Sequence, residues 1–369
     1  MKSEVMRMNY EEFKEQFVKD VKQQLEDNGI TAQVGTHEVS KLNDSYEAIT
    51  VTTEDSNIGV NVNMDKFFEA YENGVDYETV ISRALEVVQR GIDEKPTVDV
   101  ASLTDYSQMK ERLVMEVVSI KINEEMLKSI PHKAMEDMAI VYRFDLGGDK
   151  DNRATVLVTN QLMTTMGITM EQLHADAMEN APNLRPAVIR GMTEVIAEMS
   201  GMSKEEMVEM GLAPDGGEEM MYVASSADSI SGAGVIAYED FMSQAAERVG
   251  GDFFILPSSR HEVLLVPDDG RKSLRDLEDM VKEVNATQVL PEDKLTDSVY
   301  HYDSKNKIFE LGEKYVERLS EKEEAKDSLG EKTEKSSVLD DLKTKKDEVA
   351  KQPKKDVVEK AAKAKAEEL

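Results

Sequence analysis

Cysteine and tryptophan are both absent from the 369 residues, and aromatic residues reach only 5%. Without cysteine there is no disulfide, no thiolate nucleophile and no thiolate-held zinc or iron–sulfur centre. With so few rings, packing must rest on Val, Ile, Leu and Met. No run approaches the ~18 uninterrupted apolar residues of a membrane-spanning helix, and the first ten residues have no apolar signal-like stretch. The expectation is a soluble, cytoplasmic protein. Positive charge is also in deficit: 45 basic residues stand against 75 acidic ones, a net charge of -30. From Glu313 onward there are 15 basic and 16 acidic residues, so nearly all of that charge lies before Gly312. A field of this sign repels phosphate backbones. Direct nucleic-acid binding by the body is therefore not expected, and the acidity reads first as a solubility device.

The residues that are present follow an α+β pattern. Tyr10, Phe13, Phe17, Val21 and Leu25 recur at helical spacing and stop at Asn28-Gly29. Short strands are expected at 30–34, 48–53 and 58–62, then helices at 64–71 and 76–90, closing at 94–97. Strands at 113–120, 138–144 and 154–159 open a second unit. Helical pieces around 124–128, 169–172, 186–199 and 203–210 are expected within it. Half of the 22 methionines fall between Asn160 and Met221. Met is pliable, so that stretch is either a partner-accommodating surface or core filling in place of scarce aromatics. Phe253–Leu256 and Val263–Val266 are apolar runs flanking a polar link, 257–262, with Gly or Pro punctuation outside, the pattern of two antiparallel strands and a tight loop. Ser273 sits at a helix N-cap before Leu277, Met280, Val281 and Val284. A strand pair at 299–302 and 308–311 follows. The expected organisation is two small mixed lobes with short antiparallel strands, over 9–97 and 98–312, the second holding the Met-rich helical segment 160–221. A charged helical, coiled-coil or disordered tail covers 313–369.

Few residues suggest chemistry. Ser258, Ser259, His261 and Glu262 supply the side-chain types of nucleophile, base and orienter. Neighbours on a strand face opposite ways, so His261 and Glu262 should diverge. Turn-shaping by Pro257 and the serine hydroxyls is the simpler account. Asp145, Asp149 and Asp151 resemble a calcium loop, but the twelfth position is Asn160 instead of Glu. The five histidines are scattered without metal-ligand spacing, and Gly232-Ala233-Gly234 lacks the third glycine of a nucleotide loop. No cofactor is expected.

Several stretches carry a resemblance in combination: Tyr71–Gly74, Pro131-His132 with Glu136–Arg143, Thr155–Asn160, Leu256–Val263, Val284–Val289 and Asp297–Tyr300. On these the body, from Tyr10 to about Leu311, resembles a bacterial domain-of-unknown-function family of the DUF5688 type, common in gut clostridia. The resemblance implies a cytoplasmic protein, often encoded near mobile-element genes, with no catalytic residues to transfer. The leading expectation is a non-enzymatic module that binds a protein partner. The alternatives are a hydrolase using Ser258, Ser259 and His261, and an acidic mimic of nucleic acid.

Overall fold

Asn9 starts the first helix by a reciprocal capping box with Glu12, satisfying two of the free N–H groups at the helix end. The computed structural model describes residues 7–54, 59–93, 102–148, 153–211 and 219–322. By internal contacts the chain divides into Met1–Gly312 and Glu313–Leu369. Of the second unit, residues 313–322 are helical, and the rest of the expected tail lies outside the described residues. The fold is α+β with antiparallel sheets. No helix among the described residues is long and apolar enough to cross a membrane.

The N-terminal elements are α1 (Tyr10–Asp27), β1 (Ala32–Lys41), β2 (Asp44–Thr53), β3 (Val60–Asn63), α2 (Met64–Glu72) and α3 (Tyr77–Asp93). Phe13, Phe17, Val21 and Leu25 form one stripe of α1. They pack with Ile49, Val51 and Val62 of the sheet and with Val80, Ile81, Ala84 and Val88 of α3 into a core of their own. The sheet has the order β1-β2-β3. A strand was expected to end at Val34, yet β1 runs on to Lys41 and pairs with β2 without interruption from Ala32↔Thr53 to Lys41↔Asp44. The extension escapes apolar patterning because it is polar and largely exposed; its pairing register fixes it instead. The loop expected at 54–57 and the boundary at 94–97 fall mostly outside the described residues.

Next come α4 (Tyr106–Met109), β4 (Leu113–Ser119), α5 (Glu124–Leu127), β5 (His132–Met135), β6 (Met138–Gly147) and β7 (Ala154–Leu157). β6 is central, with β4 on one side and β5 and β7 on the other. Its residues alternate between two cores. Met138, Ile140, Tyr142 and Phe144 enter the main core, while Ala139 and Val141 enter a smaller one with Val118, Leu127, Ile130 and Leu42.

The helices α6 (Asn160–Met166) and α7 (Met170–Leu184) follow, each capped by a threonine, Thr159 and Thr169. One helix was expected over 186–199. The structure instead has β8 (Ala187–Gly191) and then α8 (Met192–Ser200), because Val188 and Ile189 pair across to β9 (Tyr222–Ser226). Between them lies α9 (Lys204–Glu209). Then come α10 (Phe241–Val249), β10 (Phe253–Leu256), β11 (Val263–Pro267), α11 (Leu274–Thr287), β12 (Tyr300–Asp303) and β13 (Ile308–Leu311). The six-stranded sheet has the order β13-β12-β10-β11-β9-β8. All four residues of β10 are buried, as expected of a strand covered on both faces.

A 3-10 segment, Gly232–Ala237, lies against β4 and joins the two large sheets. A Cβ on Gly234 would come within 2.5 Å of the Met115 carbonyl oxygen. The glycine pair therefore serves close backbone approach, which a bare Gly-x-Gly in sequence leaves open.

The β1–β2 hairpin ends in the body. Leu42 is buried in the small core, and Asn43 takes a left-handed conformation with φ 64. Asn43 and Asn123 exchange two hydrogen bonds of 2.7 Å, one from the Asn43 backbone N–H and one from the Asn123 amide. The Asn43 amide also donates to the carbonyls of Glu292 and Lys294.

Candidate functional site

The polar link of the β10–β11 hairpin lies against residues 293–296. Arg260 N donates to the Asp293 carbonyl at 2.8 Å, and Leu295 N to the Ser258 carbonyl at 3.1 Å. Ser259 Oγ accepts from the His261 backbone N–H at 3.1 Å, so that hydroxyl shapes the turn. The His261 ring pairs instead with Asp293, Nε2 to Oδ1 at 3.0 Å. Glu262 is exposed. The structure thus brings His261 together with a carboxylate 32 positions away, not with Glu262. No hydrogen bond joins the His261 ring to Ser258 or Ser259 among the described residues. A base–orienter pair is present without a seated hydroxyl nucleophile.

Behind the link runs a buried ionic chain. Arg260 Nη2 donates to Ser231 Oγ at 3.1 Å, and Arg143 Nε donates to the buried Glu116 at 2.9 Å. Burial pushes the Glu116 carboxyl up, but Arg143 and Arg260 together with hydrogen bonds from Arg143 and Ser231 outweigh it and hold it below its ordinary value.

Asp145 belongs to a second ionic group. Its Oδ2 accepts from Arg153 at 2.7 Å and from the buried Arg185 at 3.0 Å, and its Oδ1 accepts from Gly147 N at 2.9 Å. Arg153 also pairs with Asp228, whose Oδ1 accepts from Ser226 Oγ and Ile230 N. Burial raises the Asp228 carboxyl, yet the Ser226 and Ile230 bonds and the two arginines bring it below the ordinary range. Asp145 is committed to guanidinium partners, while Asp149 and Asp151 lie outside the described residues. Among the described residues no group of three or more His, Asp or Glu is arranged to hold a metal ion.

One constellation had no signal in sequence spacing. His174 of α7 has Tyr142 Oη 2.9 Å from its Nδ1 and accepts from the Lys133 ammonium at Nε2, 3.1 Å. Burial, reinforced by Lys133, holds the imidazole below its ordinary pKa. A neutral ring accepting from Lys133 at Nε2 carries its proton on Nδ1 and donates it to Tyr142 Oη. The three residues come from β5, β6 and α7, so only the fold brings them together. A cavity of about 600 Å³ lined by His174, Met178, Glu179 and Glu239 opens beside them.

The Met-rich stretch divides in two. Met163, Met166, Met170 and Met178 pack against the main core, and Met207 is fully buried. In contrast α8 has no buried residue at all. Ile196 and Met199 on α8 and Met210 after α9 are exposed, Met199 to 84% and Met210 to 65%. Acidic side chains alternate with them: Glu194 and Glu198 on α8, Glu205 and Glu209 on α9.

These features define an α+β protein with buried ionic ties and exposed apolar side chains on α8 and just after α9. The chain belongs to DUF5688, a family of unknown function whose model matches residues 10–304. No curated protein and no solved structure matches the chain.

Proposed function

We propose that this is a cytoplasmic protein-interaction module that docks a partner on α8 and α9. The observation that carries the reading is that α8, Met192–Ser200, is rich in apolar side chains and buries none of them. A helix that rests on β8, β9 and α9 and still leaves apolar side chains such as Ile196 and Met199 exposed marks an association surface. Methionine suits it, because an unbranched thioether repacks against differently shaped partners. The glutamates around Ile196 and Met199 specify the partner's chemistry: an apolar stripe flanked by lysine or arginine. The net charge of -30 disfavours nucleic acid as that partner.

The test is a pull-down from the native cytoplasm with the full chain and with an Ile196→Asp/Met199→Asp double variant. A stoichiometric, basic partner should be recovered by the parent and lost by the double variant. A Val87→Asp control should keep it, because Val87 is an exposed apolar residue of α3. Equal recovery by the parent and the double variant would overturn the reading.

A further inference from the structure

Strand β1 differs from every other sheet edge in the described residues. The edges β3, β5, β7, β8 and β13 are four or five residues long, and the seven-residue β4 is buried throughout. β1 is ten residues long with no buried residue, and among the described residues it pairs only with β2. Its register has no bulge and its sequence no proline. Alternate N–H and C=O groups of an edge strand point away from its neighbour, about five of each over this length. Exposed edges are normally kept short, bulged, covered, charged or interrupted by proline; β1 carries Glu38 and Lys41 towards one end, but among the described residues its stretch from Ala32 to His37 has none of these protections.

A second observation lies in the middle of the same strand. Gly35 has an ordinary φ, and a Cβ built on it would meet nothing within 4 Å. Glycine weakens a strand, and inside one it marks close approach by another backbone. Among the described residues nothing packs over this position, so the gap is open space.

Charge decides between a second copy of the chain and a different partner. From Arg7 to Asp93 there are eighteen acidic side chains against eight basic ones. Two such regions brought edge to edge repel, whereas a lysine- or arginine-bearing strand is attracted.

We propose that the free edge of β1 binds an extended, basic segment of a partner protein by strand addition, with a partner side chain filling the space over Gly35. Main-chain hydrogen bonds supply affinity, and alternate side chains supply selectivity. The surface is separate from α8 and α9, so it stands whether or not those helices dock a protein.

The test uses amide hydrogen exchange by NMR on the full chain, with and without the peptide acetyl-KVKVKVK-amide. Alternate amides between Ala32 and Lys41 should become protected when the peptide is added. A Gln33→Lys/His37→Lys variant should bind the peptide about tenfold more weakly, because it places like charges along the edge. Gly35→Val should leave the far-ultraviolet spectrum and melting behaviour intact while weakening binding, which separates a docking role from a folding one. Unchanged exchange along β1 at saturating peptide would overturn the proposal. So would unaltered affinity in the lysine variant. Protein-concentration-dependent protection of β1 without peptide would replace it with self-pairing of two copies.

Discussion

Rings, aliphatic side chains and Met64 fill the N-terminal core: Phe13 stacks on Phe17, and Phe68, Tyr71 and Tyr77 surround Phe13 within 6 Å. The rest of the first unit encloses charge. Every buried polar residue among those described lies between Glu116 and Glu310, including Glu116, Asp145 and Arg185. The first core needs only shape and volume, so it tolerates apolar exchange. The second holds its sheets together with directed pairs, each costly to leave half-made. Buried ionic groups add little net stability but demand one arrangement, which suits the part of the molecule that also presents α8.

The comparison is sharpest when one side chain of similar volume is replaced in each core. Arg185→Met removes the one fully buried partner of Asp145, leaving it the partly exposed Arg153 and the Gly147 N–H, and should cost about 1.5–3 kcal/mol. Phe17→Leu in the N-terminal core should cost less than about 1.5 kcal/mol. Urea unfolding followed by hydrogen exchange in each region separates the two. Equal losses would erase the distinction.

Acid comes next. Glu116 and Asp228 have folded-state pKa values depressed below their unfolded ones. Their contribution is therefore complete above the ordinary carboxylate range, near 4, and is lost as pH falls through the lower folded values. The main core should lose exchange protection at a higher pH than the N-terminal core, which buries no carboxylate among the described residues. Simultaneous loss would contradict this.

A smaller effect tests how the two regions are joined. Asn43→Gly keeps the left-handed turn while removing the amide bonds to Asn123, Glu292 and Lys294. It should cost about 1–3 kcal/mol. The N-terminal elements α1 to α3 and the elements from α4 to β13 should then unfold in two steps. A single unchanged transition would argue that the hairpin tip carries no coupling.

The mildest change is Lys133→Met. It removes the second cause of the depressed His174 pKa and leaves the first, burial. NMR titration should find the imidazole pKa higher than in the parent but still below its ordinary value. No change would mean that Lys133 does not face the ring in solution.

The sequence showed some parts well before the structure did. The β10–β11 hairpin was legible because both strands are apolar on both faces and Gly or Pro closes each end. Ser273 was legible because an N-cap is local, and its capping box with Asp276 is present. Polar pairing was not legible. The far half of the β1–β2 hairpin has no apolar alternation, and the β8 segment yields to a partner strand more than thirty residues away. The same distance hid the site geometry. Asp293, not the adjacent Glu262, faces His261, and Asp145 meets Arg185, 40 positions away. Side-chain types in a row report composition, while pairing depends on which segments the sheets bring together.

Photo-crosslinking in living cells tests the account most directly, with a photoreactive residue placed at Met199 on α8 in one strain and at Val87 on α3 in another. Both positions are exposed and apolar, so non-specific contact reaches each. The account predicts one dominant, basic protein adduct from position 199 and none of it from position 87. The same adducts from both positions, or no adduct from position 199, would contradict it.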